Sequence, residues 1–241
     1  MNRDMTTRPN IENRHVVVTG GTGALGVAVL DALLQAGAWC HVPYRSERSM
    51  ERHRHRGNAK VSFVPVSDLA DEAIVTRFYD GLPGLWASIH VAGAFASAPI
   101  ASSDKQLLMR QLETNLVSAY LCSRAAAMAM RRLGSGGRIV NVAARQALEP
   151  RLGSGTVAYT IAKSGVAALT TVLGAELANE DILVNAVAPS IMDTPGNREA
   201  IPRADFASWP KVEDVAATIL FLASPANTVT RGAVVPVYGR S

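Results

Sequence analysis

Cysteine is nearly absent from this chain of 241 residues, which carries only Cys40 and Cys122. Two cysteines cannot build a disulfide framework, and neither has a neighbour at metal-ligand spacing. No metal site is therefore expected, and a reducing, cytoplasmic compartment is. Long apolar runs are missing too: each is cut by Arg, Gly or Asp before eighteen residues, so no membrane span is expected. Residues 1–14 are polar, lack the apolar segment of a secretory signal, and are expected to form a flexible tail. Lysine is scarce, 4 residues against 20 Arg, within a formal net charge of +4. So small and scattered an excess does not suit nucleic acid; it suits a phosphate-bearing small molecule. Apolar side chains are plentiful, 48% of residues against 18% charged. That balance excludes a disordered or fibrous chain and fits one large domain with a sizeable core.

Short β-branched runs alternate with Ala- and Leu-rich segments of helical spacing. Strands are predicted at 15–19, 39–42, 61–66, 87–91, 138–142, 182–187 and 234–237, with helices near 24–36, 71–80, 104–132, 157–178 and 213–223. Gly37 is placed to end the first helix. Seven mostly continuous apolar strands alternating with helices imply an α/β fold, a doubly wound parallel sheet covered on both faces. No internal repeat or low-complexity linker divides the chain, so residues 1–241 read as a single domain. The run 134–137 (GSGG) reads as a flexible approach to a strand. Residues 190–210, with three prolines, read as a long loop over the substrate site at a strand end.

The segment Thr19-Gly20-Gly21-Thr22-Gly23-Ala24-Leu25-Gly26 lies between the first strand and the first helix. Glycines there let the backbone approach a diphosphate at a helix N-terminus, so Gly20, Thr22, Gly23, Leu25 and Gly26 are candidate dinucleotide ligands. At the end of the second strand, where an NAD site carries an acid, the chain has Tyr44, Arg45 and Ser46. No carboxylate repels a 2′-phosphate there, and Arg45 and Ser46 can bind one, which favours NADP(H). The run Arg52-His53-Arg54-His55-Arg56 adds positive potential and reads as a solvated face.

Tyr159 and Lys163, at i and i+4, project from one face of a helix. A phenol ordinarily titrates near 10, and a neighbouring cation would let Tyr159 exchange a proton near neutral pH. With these residues the chain resembles the short-chain dehydrogenase/reductase family over nearly its whole length. The resemblance rests on the glycine segment, Asp68-Leu69, Ala92-Gly93, Asn115, the Tyr159/Lys163 pair and Asn185-Ala186-Val187-Ala188-Pro189. It implies a Rossmann-type sheet, reduction of ketones or oxidation of alcohols with NAD(P), and a homotetramer. It also implies roles: Asp68 at the adenine edge, Leu69, Ala92, Gly93, Pro189 and Ile191 along the cofactor, Thr194 at its nicotinamide carboxamide or its phosphates, and Asn115 holding a water relay to Lys163.

The departures are specific. Gly23 is followed by Ala24, giving TGxxGxxG; the usual Asn-Asn-Ala-Gly is His90-Val91-Ala92-Gly93; Pro189 is followed by Ser190, and Val237-Tyr238-Gly239-Arg240 stands near the C-terminus. Where the family carries its serine beside the carbonyl oxygen, this chain has Ala144. Loss of one such donor can remove roughly 3 kcal/mol of transition-state stabilisation. Arg145 is the candidate replacement, ahead of Gln146, Ser154 and Thr156, because a guanidinium polarises a carbonyl. The resulting expectation is an NADPH-dependent reductase of a small carbonyl compound, with Tyr159 as proton donor and Arg145 and Arg198 favouring an anionic or polyoxygenated substrate. A 3-oxoacyl thioester reductase meeting an acidic carrier at Arg131 and Arg132 is one alternative. A non-redox lyase, isomerase or cofactor-binding regulator on the same fold is another.

Overall fold

The β-branched run His15–Thr19 forms the first strand, β1, and its alternation sets the layers: Val16 and Val18 face one core, Val17 the other, all fully buried. The computed structural model describes residues 11–134 and 136–241. Six further strands follow among them: β2 Trp39–Tyr44, β3 Val61–Pro65, β4 Ala87–His90, β5 Gly137–Val142, β6 Ile182–Pro189 and β7 Val234–Val237. All pair in parallel in the order β3-β2-β1-β4-β5-β6-β7, the doubly wound sheet expected.

The helices are α1 Ala24–Gln35, α2 Glu47–Glu51, α3 Glu72–Asp80, α4 Lys105–Leu112, α5 Ser118–Leu133, α6 Arg145–Leu148, α7 Val157–Glu176, α8 Pro195–Ala200 and α9 Val212–Ala223. On one face, Leu30 and Leu33 of α1 and Ile219 and Leu222 of α9 pack on Val16, Val18, Ile89 and Val140. On the other, Val75 and Tyr79 of α3 and Leu121 and Met130 of α5 pack on Val17, Ile139 and Val184. Each such Leu or Ile contributes roughly 1.5–3 kcal/mol by burial. Exposed ion pairs such as Arg124–Glu72 contribute about 0–1 kcal/mol, so the two apolar layers dominate the fold's stability.

Several boundaries differ from the sequence reading. Residues 11–14 of the stretch expected as a tail are tied to the fold: Ile11 is fully buried and its N–H donates to Ala36 O at 3.4 Å. Residues 1–10 lie outside the described residues, as does Ser135 of the glycine-rich approach to β5. The single helix expected over 104–132 is α4 and α5 joined by a π-turn, Glu113–Val117. The stretch 190–210 is not all loop. Pro195 opens α8 at a position where its missing N–H costs nothing, with Thr194 as N-cap, and Phe206–Ser208 forms a 3₁₀ turn. Helix α7 is long and apolar enough to cross a membrane, which counting uninterrupted runs passes over. It packs along β6 and buries Lys163.

Candidate active site

A cleft of about 820 Å3 opens across the carboxyl ends of β1, β4, β5 and β6. It lies at the switch point, where β1 neighbours both β2 and β4 and the chain winds off in opposite directions. Its floor is the glycine turn between β1 and α1. Gly20 sits at φ +67°, and a Cβ there would lie 2.6 Å from Ala92 N, so only glycine lets the turns after β1 and β4 touch backbone to backbone. A Cβ on Gly26 would lie 2.2 Å from Gly20 O, which seats the first turn of α1 on the loop.

Gly23 differs from both. A Cβ on it would meet only Gly20 O, at 3.5 Å, and as the N-cap of α1 it offers no capping side chain. The first-turn N–H groups of α1, which no residue of the helix can accept, are thus left open beside the cleft that Thr22, Gly23, Ala24, Leu25 and Gly26 line. That is an anion cradle of the right kind for a diphosphate.

Tyr44 and Arg45 line the cleft at the end of β2, and Asp68 and Leu69 line it after β3. Arg45 makes no ion pair among the described residues, so its charge is free to meet a phosphate. Tyr44 donates its hydroxyl to Glu47 Oε1 at 3.0 Å. Ser46 is not part of the lining; its Oγ caps α2 by accepting from Ser49 N at 3.4 Å. Glycine loop, free arginine and carboxylate together fit a dinucleotide.

At the other end Asn115, Tyr159 and Lys163 share the cleft wall. Asn115 sits in the π-turn, buried, donating Nδ2 to Ala94 O at 2.9 Å and to Gln111 O at 3.1 Å and accepting from Ala94 N at 3.2 Å. Gly93 lies between it and the lysine: a Cβ there would be 2.7 Å from Asn115 Oδ1 and 3.4 Å from Lys163 Nζ. Lys163 Nζ donates to Val142 O at 2.7 Å, and burial pushes its ammonium down to about 8.

Tyr159 stands edge-on to Phe95, ring centroids 5.0 Å apart, and burial pushes its phenol up to about 12. The lowering expected from Lys163 is not what the protein groups produce. The ammonium is turned to Val142 O, 5.9 Å from the tyrosine ring, so desolvation outweighs its attraction. The phenol therefore keeps its proton at neutral pH.

Ala144 lines the cleft and is buried, but Arg145 does not reach it. Its Nε and Nη2 donate to Glu149 Oε1 and Oε2 at 3.1 and 3.2 Å, and its guanidinium lies 4.7 Å over the Tyr238 ring. Thr156 donates to Gly153 O, and Ser154 is exposed. Pro189 and Thr194 line the cleft while Ile191 does not, and Phe95, Arg110, Met192 and Asn197, which no motif marks, join the lining. Arg198 is held by Asp193 through contacts of 2.6 and 2.8 Å. No group of three potential ligands is placed to hold a metal ion among the described residues.

Beneath the cleft a buried polar chain runs from α3 to α7. Asn141 Nδ2 donates to Thr170 Oγ1 at 3.0 Å, so Asn141 Oδ1 accepts from His90 Nδ1 at 2.8 Å. His90 Nε2 then accepts from Ser88 Oγ at 2.8 Å, and Ser88 accepts from Tyr79 OH at 2.7 Å. Every polar atom is used, and burial pushes His90 down to about 4.

Residues 14–205, which hold this glycine turn and the Tyr159/Lys163 pair, match the family model described as short chain dehydrogenase. The chain belongs to the short chain dehydrogenase family. It is 35% identical to galactitol 2-dehydrogenase of Rhizobium johnstonii over 94% of both chains. It is 29% identical to L-xylulose reductase of Bos taurus over 95% of this chain and 96% of that one. A short-chain type dehydrogenase/reductase from Mycobacterium ulcerans superposes with a TM-score of 0.86 at 25% identity, covering 96% of this chain and 90% of that one. ElxO with NADP bound has the same fold, with a TM-score of 0.85 at 24% identity over 94% of this chain and 98% of that one. Within this short chain dehydrogenase the glycine turn, Asn115, Tyr159 and Lys163 fall together, whereas the expected stand-in for the missing serine, Arg145, is engaged elsewhere.

Proposed function

We propose that this protein is an NADPH-dependent carbonyl reductase that protonates its product alcohol through Tyr159. The observation that carries the reading is the convergence of Asn115, Gly93, Tyr159 and Lys163 on one wall of the cleft whose floor is the glycine turn. The nicotinamide dinucleotide, when bound, supplies the hydride. Tyr159, protonated at neutral pH, gives its proton to the carbonyl oxygen as that oxygen gains charge, and the product is the alcohol. Lys163 is charged at pH 7 and positioned to hold hydroxyl groups of the cofactor; Asn115 fixes the turn that carries Ala94. The choice of NADPH rests on Arg45, with no acid to oppose it at the end of β2.

Arg145 and Arg198 are neutralised by Glu149 and Asp193, which favours an uncharged, hydroxylated ketone over an anionic one. The galactitol and L-xylulose enzymes among the relatives support the same class. Arg131 and Arg132 pair with Glu180 and Asp80, which weakens the case for an acidic carrier. A homotetramer fits the exposed apolar side chains Tyr120 and Met128 of α5 and Ile161 and Val172 of α7.

The test is NADPH oxidation, with NADH as control, against ketoses, diketones, quinones and 3-oxoacyl thioesters. Turnover should depend on NADPH, and Tyr159→Phe should lower kcat by at least about 100-fold while NADPH affinity stays within about twofold. A Tyr159→Phe enzyme that keeps its turnover would overturn the proton-donor role. NADPH binding without oxidation across the panel would favour a non-redox activity.

A further inference from the structure

In the run of alternating Arg and His after α2, Arg52, Arg54 and Arg56 are the solvated face expected, but the histidines between them turn inward. His53 is only 7% exposed, and its Nε2 lies 3.2 Å from Gly21 O in the glycine turn, 32 residues away in sequence. The backbone N–H of His55 donates to His53 Nδ1 at 3.2 Å. A backbone N–H can only donate, so Nδ1 carries no hydrogen, and Nε2 carries it and donates to Gly21 O. Phe63 meets the ring edge-on at 4.9 Å between centroids and holds its plane. The next two residues grip α1: His55 Nε2 lies 2.6 Å from Asp31 Oδ1, and Arg54 pairs with Asp31 Oδ2.

We propose that His53 is a positioning residue for the phosphate-binding turn, through a latch in which residues 53–55 hold Gly21 and Asp31. The step from contact to function is the geometry of one peptide. The C=O of Gly21 and the N–H of Thr22 belong to the same trans peptide unit and point in opposite directions. Pinning the carbonyl on His53 therefore turns the Thr22 N–H away from His53, on the residue that lines the cleft. The peptide cannot easily relax inward, because Gly21 is packed so that a Cβ would lie 2.6 Å from Val42 Cγ1. A latch of this kind sets how many phosphate donors are ready before a dinucleotide arrives, so it acts on cofactor affinity and leaves the chemistry alone. The inference rests on the dinucleotide reading above.

The experiment compares His53→Phe, which keeps shape and the Phe63 contact, with His53→Gln, which can donate again, in the full chain. Hydrogen exchange of the segment 20–26 is measured without cofactor, and NADPH affinity by calorimetry. His53→Phe should speed exchange in 20–26 and raise the NADPH dissociation constant about tenfold, equivalent to about 1.4 kcal/mol. Both changes should be largely reversed in His53→Gln. With turnover, KM for NADPH should rise in His53→Phe while kcat at saturating NADPH stays within about twofold. Asp31→Asn, which frees Arg54 and His55 but spares His53, should loosen the same segment with a smaller loss of affinity. Unchanged exchange in both His53→Phe and Asp31→Asn overturns the latch, as does an equal defect in His53→Phe and His53→Gln. Should the wild type fail to bind NADPH, the cofactor reading falls, and the exchange data alone decide whether the latch exists.

Discussion

In the proposed reaction, single atoms decide how the cleft treats a carbonyl oxygen. Tyr159, pushed up to about 12, has a proton to give, and Lys163, pushed down to about 8, still has its charge at pH 7. The second donor is missing: Ala144 presents a methyl group, and Arg145 turns its Nε and Nη2 to Glu149 and does not line the cleft. Ala144→Ser restores a hydroxyl on the cleft wall. It should raise kcat by about 100-fold with KM for NADPH unchanged, the size of one positioned donor at a developing oxyanion. Steady-state kinetics on the best ketone checks this, and an unchanged kcat would mean that another group already meets the oxygen.

Elements bring the site together, and one irregular element does most of it. The π-turn between α4 and α5 holds Asn115 where its amide closes three bonds to Ala94 and Gln111, with Gly93 wedged against Lys163. Gly93→Ala pushes a methyl to 2.7 Å from Asn115 Oδ1, so Asn115 must shift and the hydrogen bond it accepts from Ala94 N must lengthen. A loss of about 1–3 kcal/mol in urea unfolding is expected, with activity falling at least tenfold. This is also the scale at which sequence and structure part. The strands were legible because parallel strands buried on both faces are written as continuous apolar runs, as in Ile139-Val140 and Ile182-Leu183-Val184. The glycine turn and the Tyr159/Lys163 pair were legible because their spacing is local. The π-turn was not, since one extra residue in a helix leaves the apolar spacing almost intact. Nor were α2 and α6, too short to show a period. The partners of Arg145 and His53 were illegible for another reason: a charged side chain between solvent, a cleft and a neighbour chooses by tertiary geometry. Gly21 O is set before His53 by the sheet, not by its sequence neighbours.

Over the whole molecule, acid should be the main stress, and the cause lies beneath the cleft. His90 is neutral in the fold and accepts a second proton only near about 4, because burial leaves a charged ring without water. In the unfolded chain it titrates near 6.5. Between those two values the unfolded state binds the proton and the folded state refuses it, so stability falls as pH drops through 6.5 towards about 4 and is constant with respect to this group above 6.5. One such histidine accounts for about 3 kcal/mol across that window. His41, also pushed down to about 4 by burial and by His15 beside it, adds to the same slope. His90→Asn keeps a donor and an acceptor at the chain's midpoint and cannot titrate. Its stability at pH 7 should be lower than wild type, since the chain from Tyr79 to Thr170 is repacked. Its fall between pH 7 and 4.5, read from urea midpoints, should be shallower by about 2–3 kcal/mol, with the remaining slope coming from His15, His41, His53 and His55, all held down by burial, and from the carboxylates that both proteins share. Equal slopes in the two proteins would show that the folded state accepts the proton on His90 after all, by opening the layer between β4 and α5 to water.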